Sequence, residues 1–219
     1  MLKESKSKQL PPRFEDHFTK KGFLWIAGID EAGRGPLAGP VVASSVILKT
    51  KKFRYPIRDG KTITPRQREE AFHEIHQKAY VGVGIMSESV IDEHNILRAT
   101  FLAMSNAVDQ LVARLPLSAT RQEDFQKSMI LLVDGNRFQS RLPFAYQTIV
   151  DGDAKVLSIA CASIVAKVIR DRILNIYDRV FPQYGFKTHK GYPTRAHKEA
   201  LKVHGPSLIH RRSFNAHLV

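Results

Sequence analysis

The sequence predicts an α/β fold in which a five-stranded sheet is flanked by helices. Short apolar runs bounded by turn residues are typical of buried strands, and longer stretches with apolar residues at helical spacing are typical of helices that face a core. One of these stretches is apolar almost all round, as expected of a helix packed deep against a sheet. The predicted strands span residues 24–29, 41–48, 80–86, 129–133 and 144–150.

The first half of the chain gives clear local signals for its elements. Gly39 and Pro40 form a turn between the first two apolar runs, which favours a hairpin. Thr64 and Pro65 are an N-cap residue and a first-turn proline, so residues 66–79 are predicted to be a helix.

The second half contains the longer helical patterns. Residues 87–94 and 95–115 carry apolar side chains at helical spacing, and 116–127 form a largely polar connector. Residues 154–179 are the stretch that is apolar almost all round, and small residues at 160–163 permit close approach to the sheet.

The chain of 219 residues is expected to form one main domain with a basic segment at each end. Residues 1–22 are a basic lead-in, expected to be loosely held, and 23–182 form the main domain. Residues 183–219 form a basic, helical C-terminal segment. Between residues 187 and 212 there are seven Lys or Arg and a single acid, Glu199. We expect this segment to contribute to substrate binding.

The composition points to a polyanionic partner. There are 34 Lys and Arg against 21 Asp and Glu, a formal net charge of +13, which favours nucleic acid or an anionic membrane surface. The apolar runs are far shorter than a membrane span, and the N-terminus lacks the apolar core of a secretory signal. We therefore expect a cytoplasmic protein. Cys161 is the only cysteine, which excludes an intrachain disulfide and zinc sites built from several thiolates.

The stretch 26–40, IAGIDEAGRGPLAGP, places two adjacent carboxylates at the end of an apolar run. Neighbouring strand side chains point to opposite faces, so Asp30 and Glu31 are expected to share one site only if the chain bends at Glu31. Arg34 lies between Gly33 and Gly35, which lets the backbone approach a bulky anionic partner. Taken alone, such a pair is more often a solvated strand end.

Two further acids occupy similar positions. Asp134 ends a strand, and Asp153 lies between a strand and the apolar helix, at an edge where ligands gather in α/β sheets. Each has a simpler explanation, a turn residue for Asp134 and a helix N-cap for Asp153. Asp151 competes with Asp153 on spacing alone.

Grouped acids in a basic chain indicate a metal site. A protein that grips phosphates has little use for carboxylates on its binding face unless divalent cations neutralise them. Carboxylate oxygens favour Mg²⁺ or Mn²⁺ over zinc. Two such ions would suit in-line hydrolysis of a phosphodiester.

Several spaced motifs resemble bacterial ribonuclease HII, the type 2 ribonucleases H, from about Phe23 to Phe214. The matching segments are GIDEAGRGPLAGPVV (28–42), VDGN (133–136), GDAK (152–155), ASIVAKVIRDR (162–172), HKGYPT (189–194) and GPSLIHRRSF (205–214). The resemblance implies a ribonuclease H-like fold with a mixed five-stranded sheet. It also implies that the catalytic, metal-binding acids are Asp30, Glu31, Asp134 and Asp153.

The resemblance further implies the substrates: the RNA strand of RNA/DNA hybrids, and duplex DNA incised 5′ to an embedded ribonucleotide to leave 3′-hydroxyl and 5′-phosphate ends. Gly33, Arg34 and Gly35 match the family segment that reads the ribose 2′-hydroxyl, and Tyr192 matches the family tyrosine that stacks on the sugar at the junction. One departure is Asp59-Gly60-Lys61, where the family commonly has Asp-Ser-Lys. A monomer without a membrane partner is expected.

Two other classes of function stay open at this point. A catalytically silent nucleic-acid-binding module would bind duplexes by counterion release but would not nick them. A different nuclease of this fold would cut pure DNA. The histidines at 189–210 lack nearby cysteines, and we interpret them as phosphate contacts rather than metal ligands.

Overall fold

The computed structural model describes residues 13–57, 63–116 and 122–215, which form a mixed five-stranded sheet with helices on both faces. The strand order is β3-β2-β1-β4-β5. The strands are β1 (Trp25–Ala32), β2 (Val41–Leu48), β3 (Ala79–Met86), β4 (Met129–Asp134) and β5 (Ala145–Ile149). The predicted fold class and all five predicted strands are confirmed.

The helices include every one that the sequence predicts. They are α1 (Arg13–Lys20), α2 (Pro65–Lys78), α3 (Glu88–His94), α4 (Ile96–Val112), α5 (Gln122–Ser128), α6 (Leu157–Val180), α7 (Phe186–His189), α8 (Arg195–His204) and α9 (Arg212–Asn215). Single 3₁₀ turns form at Gly152–Ala154 and Pro182–Tyr184. Within the described ranges, none of the helices has the length and apolar character to cross a bilayer.

The pairing of β1 brings the ends of two parallel strands to one edge of the sheet. β1 and β2 form the predicted antiparallel hairpin, whereas β1 pairs in parallel with β4. The ladder with β4 stops at Ile29, but the ladder with β2 continues to Ala32. The predicted end of this strand at residue 29 and the predicted bend at Glu31 are therefore wrong. The predicted start is wrong as well, because Leu24 precedes the strand and is 78% exposed.

Helices cover both faces because the strand side chains alternate between two apolar cores. Ala27 and Ile29 of β1 pack with α4, whereas Ile26 packs on the other side with residues of α6. A Cβ added at Gly28 would lie 2.2 Å from the main-chain carbonyl carbon of Ser158. The first turn of α6 therefore lies directly against β1, which brings the residues preceding α6 to the edge where β1 and β4 end.

Residues 13–20 of the lead-in form a helix that packs on the core, although the lead-in was expected to be loosely held. Helix α1 buries Phe18 against β4 residues and Ile159, and the Glu15 carboxylate accepts a hydrogen bond of 2.8 Å from the Ser158 N–H. This part of the lead-in is therefore held to the core. The predicted connector 116–127 likewise contains α5. Residues 59–61, where the motif departs from the family, lie outside the described residues. The division into lead-in, main domain and C-terminal segment stays a prediction.

Candidate active site

Asp30 lies on β1 at the carboxyl edge of the sheet and is almost fully buried, with 6% of its surface exposed. Its Oδ1 accepts a hydrogen bond of 2.7 Å from the Glu31 N–H. Ser163 of α6 lines the same cavity and acts to lower the pKa of the Asp30 carboxyl. The carboxylate therefore lies between its own strand, which holds it by a hydrogen bond, and the helix that crosses it.

Asp134 and Asp153 reach the same edge from the neighbouring strand and the following turn. The Gly152 N–H donates to Asp134 Oδ1 at 2.7 Å, which joins the end of β4 to the 3₁₀ turn that carries Asp153. Asp153 is not the N-cap of α6, because that position is Val156. The competing Asp151 has a φ of 54° and an exposed side chain near Lys155, and it does not line the cavity.

All eight residues predicted from the sequence line one cavity of about 420 Å³. The residues of this cavity are Asp30, Glu31, Ala32, Gly33, Arg34, Gly35, Asp134, Asp153, Ser163, Lys167 and Tyr192. Five separate stretches of sequence contribute to it. The four acids, which come from separate parts of the sequence, therefore line the same cavity.

The carboxylates of this cavity interact unfavourably when they are all ionised. Burial raises the pKa of Asp30 well above its usual value, and the charges of Glu31 and Asp134 raise it further. Burial also raises the pKa of Glu31, although Arg34, whose Nη1 lies 3.3 Å from Glu31 Oε1, opposes this shift. Divalent cations bound among these groups would relieve the repulsion.

The donor set suits a hard cation, since it consists of carboxylate oxygens. In the part of the chain that the structure describes, no group of three or more His, Cys, Asp or Glu side chains is already gathered closely enough to hold a metal ion. Carboxylates repel one another when no cation lies between them. The carboxylate donors and their raised pKa values both fit a bound divalent cation.

Two cavity residues, Ser163 and Lys167, were not given roles from the sequence. They are four positions apart on α6, so they share one face of the helix. The Lys167 ammonium pairs with Asp171 at 2.7 Å and lines the acidic cavity, whereas Asp171 does not. Lys167 is the only charged residue between Lys155 and Arg170, and Ser163 lies one helical turn before it; this was the signal available in the sequence.

The histidines of the C-terminal segment differ from the expectation. His189, His197 and His210 are buried, and their rings bond to protein groups rather than facing solvent. The His197 Nδ1 lies 2.9 Å from the Tyr192 carbonyl oxygen, and its Nε2 lies 2.9 Å from the His210 Nε2. Phosphate contact is therefore wrong for these three residues, because their ring nitrogens are already used to hold the segment that carries Tyr192.

The bonds of His197 and His210 assign one neutral tautomer to each ring. Nδ1 of His197 donates to a carbonyl, so its Nε2 accepts from His210. Nδ1 of His210 accepts from the Ser207 N–H, which leaves its Nε2 as the donor. A proton added to either ring would break one of these bonds.

The fold is similar to solved structures of type 2 ribonucleases H. The ribonuclease H2 of Pyrococcus horikoshii matches with a TM-score of 0.62 and 26% identity, covering 87% of this chain and 93% of that chain. Bst-RNase HIII, solved in complex with Mn²⁺, matches with a TM-score of 0.59 and 13% identity, covering 92% and 69%. The mixed sheet is therefore a ribonuclease H-like fold, and the protein is a hydrolase of the ribonuclease H class.

The sequence comparisons identify the family. The family model described as Ribonuclease HII matches residues 27–217. A ribonuclease HII of Magnetococcus marinus is 47% identical over 189 residues, which cover 86% of this chain and 84% of the relative. The chain belongs to the ribonuclease HII family, and its activity is that of an endoribonuclease acting on RNA/DNA hybrids.

Proposed function

We propose that this protein hydrolyses phosphodiester bonds by a two-metal mechanism, and that it incises duplex DNA on the 5′ side of an embedded ribonucleotide as well as cutting the RNA strand of hybrids. The products are a 3′-hydroxyl and a 5′-phosphate. The observation that carries the proposal is the single cavity lined by four carboxylates, the Gly33-Arg34-Gly35 segment and Tyr192.

The carboxylates Asp30, Glu31, Asp134 and Asp153 would hold two Mg²⁺ or Mn²⁺ ions. When bound, the ions supply Lewis-acid activation of a water and stabilisation of the leaving oxygen. The raised pKa of Asp30 supports this role, because a buried carboxylate beside two others is a costly arrangement that a bound cation would stabilise.

The other cavity residues position the substrate. The Gly33-Arg34-Gly35 segment offers backbone groups to the ribose 2′-hydroxyl, and the exposed face of Tyr192 stacks on the adjacent sugar. The basic C-terminal segment adds phosphate contacts, in line with the net charge of +13. We expect the protein to act as a monomer in the cytoplasm, without a membrane partner.

The replacement Asp30→Asn tests the acid cluster. The variant replaces a carboxylate that would bind the ions with a neutral amide. It is expected to abolish cleavage of a duplex with one ribonucleotide in either Mg²⁺ or Mn²⁺. Duplex affinity measured without metal should stay within about twofold. Mn²⁺ should raise the Tm of the unmodified protein and raise that of the variant less, because a ligand that binds the folded state stabilises it. EDTA should stop cleavage.

Asp151→Asn is the matched control, since Asp151 lies two residues from Asp153 but outside the cavity and is exposed. It should cleave at nearly the normal rate. Full activity in Asp30→Asn, or equal losses in both variants, would rule out the acid assignment. Cleavage of an all-DNA duplex would identify a general nuclease, and duplex binding without nicking would identify a silent binding module.

A further inference from the structure

Two buried arginines lie beneath the glycine-rich loop, which we define as residues 33–40. Arg170 of α6 is 1% exposed, and Arg211, just before α9, is 0% exposed. Neither forms an ion pair with a carboxylate among the described residues. Burying a charged group without a close counter-charge is costly, so their hydrogen bonds have to compensate for the loss of water.

Among the described residues, the hydrogen bonds of the Arg211 guanidinium all go to main-chain carbonyls of the loop. Nη2 donates to Gly33 O at 2.6 Å and to Gly39 O at 2.7 Å, and Nε donates to Gly39 O at 2.9 Å. Nη1 donates to Arg34 O at 3.1 Å and to Pro36 O at 2.8 Å. A guanidinium has five N–H donors, and these bonds match that number. Burial lowers the pKa of Arg211 to about 9, which leaves it charged at neutral pH.

These bonds determine where the loop amides point. In a trans peptide the C=O and the following N–H point in opposite directions, and the loop peptides are trans. Because the Gly33 and Arg34 carbonyls turn toward Arg211, the N–H groups of Arg34 and Gly35 turn away from it. Neither N–H donates to another described residue, and both residues line the cavity.

Arg170 joins the same loop to the turn that carries Tyr192. Its Nε donates to Pro40 O and its Nη2 to Ala38 O, both at 3.0 Å, while its Nη1 donates to Lys190 O at 3.0 Å. A Cβ added at Gly33 would lie 2.1 Å from the Arg170 Nε. The loop therefore lies directly on the arginine side chains.

We infer that Arg211 is a positioning residue for substrate selection: it orients the Arg34 and Gly35 N–H groups toward a hydroxyl oxygen of the substrate sugar, and thereby sets the preference for a ribonucleotide over a deoxyribonucleotide. Arg170 keeps this pair of donors in register with Tyr192. The inference rests on the proposed function, because it assigns the residue that prepares the same site.

Arg211→Lys is the direct test. Lysine keeps the charge, but its ammonium group has three N–H donors on one nitrogen, so it cannot replace the five hydrogen bonds that Arg211 makes to four carbonyls. The measured quantity is the ratio of affinities for a duplex with one ribonucleotide and for the same duplex in all-DNA form, without divalent metal. We expect this ratio to fall about tenfold, which corresponds to the loss of one or two hydrogen bonds, while all-DNA affinity stays within about twofold.

Arg172→Lys is the control, because Arg172 lies on α6 two residues beyond Arg170 but is exposed and pairs with Glu69. It should leave the ratio unchanged. A folded Arg211→Lys protein with the normal ratio would overturn the inference and leave the proposed function standing. If the unmodified protein fails to nick the ribonucleotide duplex, the proposed function fails instead.

Amide exchange of the unmodified protein gives a second test that does not require a variant to fold. The Arg34 and Gly35 amides should exchange quickly in the free protein, and the ribonucleotide duplex should slow their exchange at least fivefold more than the all-DNA duplex. Equal protection by the two duplexes would contradict the inference.

Discussion

At the scale of single residues, the surroundings of a carboxylate show whether it lines the cavity or lies in an exposed turn. Asp151 and Asp153 are two positions apart in the same sequence motif, yet one is exposed beside Lys155 and the other lines the cavity. The difference comes from the 3₁₀ turn at Gly152–Ala154, whose Gly152 N–H is bonded to Asp134. This hydrogen bond attaches the turn that carries Asp153 to the end of β4, beside the cavity that Asp134 and Asp153 both line.

Tyr192→Ala should reduce cleavage more than binding. The ring is 43% exposed and lines the cavity, and Gly35 lies beside it. Aromatic stacking on a base contributes about 1–3 kcal/mol, and a contact of the same size to the sugar predicts a roughly ten- to hundredfold fall in cleavage at a single ribonucleotide. Affinity for the duplex as a whole should fall much less, because phosphate contacts dominate it. Steady-state cleavage and fluorescence anisotropy measure the two quantities.

Two comparisons isolate the ring of Tyr192. Tyr192→Phe keeps the ring and should keep most of the cleavage rate. Tyr146→Ala removes a tyrosine of similar exposure on the edge strand β5, outside the cavity, and should change neither quantity. Equal losses of cleavage and binding in Tyr192→Ala would contradict the stacking role.

The residues found from sequence were those whose signal is local. Asp30 and Asp134 follow apolar runs directly, so strand ends alone predicted their position. Arg170 and Arg211 were missed because their partners are main-chain carbonyls, most of them more than a hundred residues away. No local pattern reveals such a bond. The buried histidines were interpreted as phosphate contacts because they lie in a basic segment, and composition does not show which side chains the fold buries.

At the scale of elements, α1 completes the N-terminus of α6. The first N–H groups of a helix have no partner within it, and the Glu15 carboxylate accepts one of them, from Ser158. A negative charge at this end also complements the helix dipole. The sequence did not reveal this contact, because the short stretch RFEDHFTK is dense in charges and Glu15 caps a helix that begins far along the chain.

Glu15→Ala should lower the free energy of unfolding by about 1–2 kcal/mol, which is the usual cost of removing a capping side chain. Urea unfolding followed by circular dichroism would measure it. Asp16→Ala is the matched control, since Asp16 is the neighbouring acid but forms only an exposed pair with Lys51, and exposed pairs contribute little. A change in Glu15→Ala no larger than that in Asp16→Ala would show that the cap adds no stability.

At the scale of the whole molecule, the sequence predicted the strands and helices better than it predicted their boundaries and the contacts between distant segments. Strand-sized apolar runs indicated all five strands, but the β1 boundary was wrong because its pairing with β2 extends past the residues that pair with β4. The attachment of the C-terminal segment to the core was also hidden in the sequence. It depends on Arg170, Arg211 and the three buried histidines, which bond to the glycine-rich loop and to the segment around Tyr192.

The buried histidines couple the stability of the whole protein to pH. Burial, and next the neighbouring His197, lower the pKa of His210 to about 4, and burial lowers the pKa of His197 as well. An unfolded histidine has a pKa of about 6.5. Between about pH 6.5 and 4 the unfolded chain therefore binds a proton at His210 that the folded protein does not, so stability falls as pH falls through this range.

The free energy of unfolding should accordingly be about 2 kcal/mol lower at pH 5 than at pH 7.5 through His210 alone. Urea unfolding at the two pH values measures the difference, and His210→Gln should remove that part of it. The raised pKa values of Asp30 and Glu31 change stability with pH in the opposite direction. They are present in both the unmodified protein and His210→Gln, so the difference between these two proteins reports on His210. His73→Gln, which replaces an exposed histidine, should keep the full difference. An unchanged pH dependence in His210→Gln would show that this ring does not couple folding to protonation.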